Sequence, residues 1–450
     1  MESRTPQGAV AWTLGLITFP YLALPAYWIF GRSKFQGFVN LLRANHAENS
    51  DTTQEYFKKL KERKLIVLPD RQEALPIEKL AKLPFTSGNE VDLLINGRQT
   101  FDSIFDGISR AAHYILIQFY IIKADKLGNE LKQRLMEKAA LGIRVYFLYD
   151  EIGSMGLPNA YLDELRAAGV DVYKFNTTKG RTNRFQLNFR NHRKIVVVDG
   201  NEAWVGGHNV GDEYLGESAG LAYWRDTHIR VAGPVAQSIQ VSFFEDWYWA
   251  SNEQIELDWD PRSTGRVRQV AALALPSGPE DTHETCTLFF IKCIQNAKNR
   301  LWIASPYFVP DEQFITALHL ATIRGIDVRI IIPKKTDNPL VTYTHWAYVE
   351  QLLQIGVKVF WYEKGFLHQK VVLVDDDYAT VGTANFDNRS FRLNFEITIG
   401  IADSDFNSEV AAMLEEDFDN SRPATHADIQ GQSFLFRLLV RVAQLTAPIQ

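Results

Sequence analysis

One pattern occurs twice in this chain, and the duplication constrains what it can fold into. The stretch NHRKIVVVDGNEAWVGGHN, from Asn191 to Asn209, carries His192, Lys194 and Asp199, then Gly206, Gly207 and Asn209. The stretch HQKVVLVDDDYATVGTAN, from His368 to Asn385, carries His368, Lys370 and Asp375, then Gly382, Thr383 and Asn385 at the same spacing. A single H-x-K-x4-D string is compatible with an ordinary strand that has polar ends. Two copies with matched offsets point to a duplicated catalytic half-site, so the chain is expected to fold as two related halves.

The residue types suit phosphodiester chemistry. Ile195–Val198 is apolar and mostly β-branched, as in a buried strand. His192 and Lys194 are two apart and project from one face of an extended chain. A neutral imidazole acts as nucleophile or general base near neutral pH. The lysine ammonium beside it supplies fixed positive charge for an oxyanion, and Asn209 and Asn385 add neutral donors. An acidic residue follows each motif: Asp226 in YWRDTHIRV and Glu396 in LNFEITIGI. A carboxylate bonded to one imidazole nitrogen fixes the tautomer and leaves the other nitrogen free. The alternative for both is a charge on an exposed strand. Asp199 and Asp375 leave more open: each closes a turn, bonds a neighbouring donor, or takes a direct part in the chemistry.

Around the motifs the pattern alternates strand and helix, which indicates an α/β layered fold. LGIRVYFLYD (Leu141–Asp150) answers RGIDVRIIIP (Arg324–Pro333), and AGVDVYKF (Ala168–Phe175) answers IGVKVFWY (Ile355–Tyr362). Each phrase reads as a helix-ending glycine that feeds a strand. The expected halves are residues 89–260 and 261–430, with a boundary near Asp258–Ser277.

The two ends of the chain point to a membrane. Ala9 to Phe30 carries no charge; as one helix it would span about 33 Å, enough for a bilayer core. Trp12, Tyr21, Tyr27 and Trp28 are aromatics of the kind favoured at membrane interfaces. Residues 1–35 are therefore expected to form a transmembrane anchor; Pro20 and Pro25 make a re-entrant, proline-kinked hairpin the lesser alternative. Arg4 precedes the stretch, while Arg32, Lys34 and Arg43 follow it, which puts the bulk of the protein on the cytoplasmic side. Residues 36–88 read as a polar juxtamembrane linker. Its KKLKERK run (Lys58–Lys64) either meets anionic headgroups or forms a solvated helix face. In the tail, residues 431–450, FLFRLLVRVAQL suits an amphipathic helix in the membrane interface; docking on the protein is the alternative. The net charge of −6 weakens any nucleic-acid reading. Cys286 and Cys293 offer neither a disulfide framework nor zinc spacing, and buried free thiols are expected.

With these residues in view, the sequence resembles the phospholipase D superfamily, and within it the bacterial cardiolipin synthases. The resemblance covers nearly the whole chain, through NHRKIVVVDG, GGHNVGDEYLG, YWRDTHIRV, SPYFVPDE, FLHQK and VGTANFDNRS…LNFE. It implies two α/β/α sandwich halves packed as a pseudo-twofold dimer, with one active site between them. It implies a metal-independent phosphatidyl transfer with no cofactor. One phosphatidylglycerol gives its phosphatidyl group to a histidine, glycerol leaves, and a second phosphatidylglycerol takes the group to form cardiolipin. By resemblance His192 is the nucleophile and His368 the acid and base. Lys194, Lys370, Asn209 and Asn385 hold the phosphate, and Glu396 and Asp226 orient the histidines. Asp199 and Asp375 complete the catalytic motifs. Gly207 and Thr383 occupy a phosphate-contacting position where many members carry serine, so a hydroxyl contact is missing from the first copy. The resemblance also implies phospholipid and membrane as partners, no nucleic acid, and residence at the bacterial cytoplasmic membrane. Hydrolysis of phospholipid to phosphatidic acid uses the same residues and remains open, as does a nuclease of the superfamily.

Overall fold

The computed structural model of the protein describes residues 6–31, 35, 37–38, 54–67, 71–179, 188–216, 223–265 and 269–447. Apolar runs rich in Val and Ile form the strands, and helices with one apolar face close over them. In the first half Tyr114–Phe119, Arg144–Asp150 and Asp171–Phe175 are parallel strands joined through helices Lys126–Ala140 and Asn159–Ala167. In the second, Arg300–Ala304, Asp327–Pro333 and Lys358–Tyr362 are parallel strands joined through Glu312–Ile323 and Pro339–Gln354. All four helices run out into glycines with positive φ: Gly142 at 83°, Gly169 at 89°, Gly325 at 85° and Gly356 at 83°. This left-handed turn releases the chain into the next strand, and glycine adopts it without strain.

Each parallel trio continues into an antiparallel part. From Tyr114–Phe119 the order is Ile195–Val198, Glu202–Gly206, Thr227–Ala232 and Thr86–Ile95. From Arg300–Ala304 it is Val371–Val374, Tyr378–Gly382, Asn394–Ala402 and Val270–Ser277. The last strands of the two series pair antiparallel, with Thr86 opposite Ala272 and Asn89 opposite Val270. One 16-stranded sheet thus runs through both halves. The result is a mixed α/β fold in which one unit occurs twice. Trp204, Trp247 and Trp361 are buried within it, and so are the free thiols of Cys286 and Cys293.

The apolar N-terminal stretch takes the proline-broken alternative. Instead of one span there are two helices, Pro6–Thr18 and Pro20–Phe30, separated at Phe19 (φ −135°, ψ 60°). They fold against each other, with the Trp12 and Tyr27 ring centroids 5.4 Å apart. Pro20 opens the second helix, where its missing N–H costs nothing. Each helix is only about 15–20 Å long. Among the described residues no helix is long and apolar enough to cross a membrane. Ile17, Phe19, Tyr21 and Leu22 are exposed. Arg4, Arg32, Lys34 and Arg43, on which the expected orientation rests, lie outside the described residues.

The basic run at Lys58–Lys64 falls largely on a helix, residues 54–62. Tyr56 and Leu60 are buried, while Lys58 and Lys59 pair along the helix with Glu62 and Glu55. The C-terminal helix, Phe434–Gln444, docks one face on Pro339–Gln354: Phe436 packs on Trp346 and Tyr343, and Arg441 pairs with Glu350 at 2.8 Å. Its other face leaves Leu435, Leu438, Leu439 and Val442 exposed.

Candidate active site

The two halves exchange short strands where their motifs begin. Arg190–Asn191 pairs parallel with the second half's Asn394–Ala402, and the His192 N–H donates to Phe395 O at 2.9 Å. Reciprocally, Phe366–Leu367 pairs parallel with Trp224–Arg225 of the first half, and the His368 N–H donates to Arg225 O at 2.7 Å. Each histidine is therefore seated beside the carboxylate of the opposite half. His192 Nδ1 lies 2.9 and 3.0 Å from the two Glu396 oxygens. His368 Nδ1 lies 2.7 Å from Asp226 Oδ2.

Glu396 is fully buried, and burial alone would raise its pKa. The His192 imidazole, the Lys194 ammonium and the Thr383 hydroxyl outweigh that and hold it below the usual carboxylate range. An ionised carboxylate only accepts hydrogen bonds, so His192 Nδ1 carries the proton and Nε2 is left with its lone pair. Thr383 and Ser390 hydroxyls also donate to Glu396. The Thr383 hydroxyl thus holds the carboxylate in place. A Cβ at Gly207 would lie 2.0 Å from Asp226 Oδ1, so the glycine makes room for the carboxylate that meets His368.

Both histidines line one cavity of about 540 Å³, together with Asn209, Asn385, Tyr120, Tyr214, Trp224 and Tyr307. Tyr120 stands edge-on to His192 and Trp224 packs on His368, each with ring centroids 5.0 Å apart. Asn209 Oδ1 accepts from the Ile121 N–H at 3.1 Å, and Asn385 Oδ1 has no partner among the described residues. Lys194 and Lys370 are buried beneath the histidines, each donating to the carbonyl of its own motif histidine. Lys370 Nζ also lies 3.1 Å from both ring nitrogens of His368. Burial, with the two lysines, pulls the His192 pKa down to about 4 although Glu396 opposes it. Burial and both lysines push His368 well below its ordinary value. Burial lowers Lys370 to about 8 and Lys194 further. Neutral imidazoles therefore stand over two buried lysines.

Asp199 and Asp375 do not join this cavity. Each lies seven residues beyond its histidine, at the far end of the strand Ile195–Val198 or Val371–Val374, which alone is about 13 Å long. Asp199 accepts from the backbone N–H groups of Ala112, His113 and Tyr114, each at 2.8 Å. Asp375 does the same for Lys298, Asn299 and Arg300 at 2.7, 2.7 and 2.8 Å. Both have left-handed backbone, φ 52° and 51°. Of the alternatives open in the sequence, this is the bond to a neighbouring donor. Among the described residues, no group of three or more His, Cys, Asp or Glu is arranged to hold a metal ion.

A second layer escaped the sequence reading. Arg193, between His192 and Lys194, donates through Nε to Glu396 O at 3.0 Å and through Nη1 to both Asp246 oxygens at 2.9 Å. Arg225 donates to Asp226 O at 2.8 Å and is held by Asp417 at 2.7 and 2.8 Å. In each half a buried aspartate on a long helix thus clamps an arginine that fixes the backbone of an orienting carboxylate. The signal was present as a second repeated phrase, Glu245-Asp246-Trp247 and Glu416-Asp417-Phe418.

A family model described as cardiolipin synthase, PLD-like domain, matches residues 104–247 and 290–420, once in each half. The chain belongs to the cardiolipin synthase family. It is 47% identical over 451 residues to a cardiolipin synthase A of Pseudomonas putida, covering 99% of this chain and 93% of that relative. A cardiolipin synthase A of Pseudomonas aeruginosa is 47% identical over 460 residues, covering 99% of this chain and 91% of the relative. Among solved structures, the fold is shared with phosphatidylserine synthase of Haemophilus influenzae at TM-score 0.63 and 16% identity, over 84% of this chain and 100% of that one. It is shared with polyphosphate kinase of Porphyromonas gingivalis at TM-score 0.52 and 14% identity, over 79% and 54%. In this cardiolipin synthase family member, the repeated unit of the sequence and the repeated unit of the sheet coincide.

Proposed function

We propose that the protein is a cardiolipin synthase that joins two phosphatidylglycerol molecules and releases glycerol. The observation that carries this reading is the reciprocal pairing of His192 with Glu396 and His368 with Asp226 around one cavity. His192 Nε2 attacks the phosphorus of the first lipid, forming a P–N bond as the P–O bond to glycerol breaks. The phosphate's negative charge raises His368 toward its protonated form, and His368 gives its proton to the departing glycerol oxygen. Now neutral, His368 takes the proton from a hydroxyl of the second phosphatidylglycerol, whose oxygen attacks phosphorus as the P–N bond breaks. Lys194, Lys370, Asn209 and Asn385 hold the non-bridging oxygens. The contact of Lys370 with His368 Nε2 favours His192 as nucleophile, because its own Nε2 has no hydrogen-bond partner among the described residues.

The same proposal places the protein on the bacterial cytoplasmic membrane, with the catalytic halves on the cytoplasmic side. The exposed apolar residues of the N-terminal hairpin and of the C-terminal helix support attachment to a lipid surface, which concentrates the substrate at the site. We assign residues 89–260 and 261–430 to the two catalytic halves, 36–88 to a linker whose last residues enter the sheet with the strand Thr86–Ile95, and 431–450 to the tail.

The test is purified protein with phosphatidylglycerol vesicles, followed by lipid mass spectrometry and a glycerol assay. Cardiolipin and glycerol in equal amounts are expected. Phosphatidic acid as the sole lipid product would assign the protein as a hydrolase instead.

A further inference from the structure

The cavity is electrically polarised. At its His192 end stand Arg190 and Arg389; Glu213 and Asp337 line it elsewhere, and Asp337 accepts from Tyr307 OH, whose ring neighbours His368. Arg190 is two residues before His192 on the extended exchange strand, about 7 Å away and on the same face. Arg389 comes from the opposite half, in the short helix Asn388–Arg392.

Among the described residues, both guanidiniums donate to neutral oxygens alone. Arg389 donates to Asn188 Oδ1 at 2.9 Å and to Asn188 O at 2.8 Å, and Arg190 donates to Phe189 O at 2.6 Å. The neighbouring carboxylates are occupied by backbone. Asp150 accepts from the N–H groups of Ile152, Gly153 and Asn191, and Asp387 from that of Ser390. Burial and the facing Arg190 both depress the Arg389 pKa. Two like charges held together in a half-buried cleft cost free energy that an anion between them would offset. Paired guanidinium forks are the side chains best matched to phosphate oxygens.

We propose that Arg190 and Arg389 form a second phosphodiester subsite that holds the acceptor lipid by its own phosphate. The inference rests on the cardiolipin synthase reading. The product contains two phosphates bridged by one glycerol. With the reacting phosphorus at His192, the second phosphate must lie one glycerol away, which matches the roughly 7 Å by which Arg190 precedes His192 along the strand. A hydroxyl borne on an anionic lipid is thereby held against the phosphohistidine, while water and neutral alcohols gain nothing from this subsite.

The experiment separates the two half-reactions. Exchange of labelled glycerol into phosphatidylglycerol reports formation and reversal of the phosphohistidine, without a second lipid. Cardiolipin formation reports the complete reaction. In Arg190→Gln and Arg389→Gln the ratio of cardiolipin formation to exchange should fall at least about tenfold, the scale of a lost charged hydrogen bond. Arg389→Lys, which keeps the charge and loses the fork, should recover part of that ratio. Equal loss of both rates, or an unchanged ratio, would overturn the proposal. So would an unchanged ratio in Arg389→Gln accompanied by lost sensitivity to inorganic phosphate, since that would assign the subsite to the free ion. Absence of cardiolipin from the wild-type protein would instead sink the underlying reading.

Discussion

Glu396, on a strand of the second half, accepts a hydrogen bond from Nδ1 of His192 in the first half at 2.9 Å. The carboxylate therefore fixes the tautomer across the boundary between the repeats, and Asp226 does the same for His368. Glu396→Gln keeps the shape but removes the ionised acceptor. It should lower kcat by about a thousandfold or more, the scale seen when a histidine is left in the wrong tautomer. Gly207→Ala should act through the other pair, because the added Cβ would meet Asp226 Oδ1 at 2.0 Å and displace it from His368. Thr383→Ser, which retains the hydroxyl to Glu396, should keep most activity, and Thr383→Val should not. Steady-state rates on phosphatidylglycerol vesicles check all four. Full activity in Glu396→Gln would remove the orienting role.

Asp199 and Asp375 should matter to stability more than to chemistry. Each carboxylate satisfies three consecutive backbone N–H groups at the start of a parallel strand. Asp375→Ala should cost about 2–4 kcal/mol of stability through those unsatisfied donors. Thermal melting should show the loss, with the rate per folded molecule nearly retained. A well-folded but inactive Asp375→Ala would return the residue to the catalytic set.

The pH dependence follows from three depressed groups. His192 must be neutral to attack, and its pKa is pulled down to about 4, so activity holds above that pH and is lost as the pH falls through it. Lys194 and Lys370 must be charged to hold the oxyanion; burial lowers Lys370 to about 8 and Lys194 further, so activity is lost as the pH rises, at or below about 8. The profile of kcat/KM should be a bell between these limits, with the apparent values belonging to the coupled cluster. An acid limb near the ordinary histidine value would contradict the buried, lysine-backed environment.

Membrane attachment should depend on the outer face of the C-terminal helix. Leu435→Asp with Leu438→Asp exposes charge where exposed leucines stand, away from the buried Val440 and Ala443. Vesicle binding measured by flotation should weaken by more than about tenfold per leucine, from the apolar area removed, with the melting temperature little changed. Unaltered flotation would leave attachment to the N-terminal hairpin.

The repeat was legible because spacing within a motif survives in sequence, and the glycine-to-strand phrases marked helix ends that have positive φ. Which carboxylate meets which histidine was not legible. That depends on the exchange of Arg190–Asn191 and Phe366–Leu367 between halves, a tertiary path that spacing does not record. Gly207 read as a missing hydroxyl because its neighbour Asp226 is distant in the chain. Ala9–Phe30 left one span and a proline-kinked hairpin both open, because hydropathy is blind to a reversal of direction; Pro20, at the first turn of the second helix, was the cue to the reversal. Arg193 and Arg225 looked like ordinary charges, although the repeated Glu-Asp-aromatic phrase marked the aspartates that clamp them.

The most direct test of a single site shared by both repeats is the cardiolipin turnover of His192→Ala, His368→Ala and the double variant, each shown to be folded. Because the two imidazoles act on one phosphorus in sequence, each single change should abolish turnover, and the double should be little worse than either. Turnover above about one percent in both single variants, or losses that multiply in the double, would mean that the two histidines work independently.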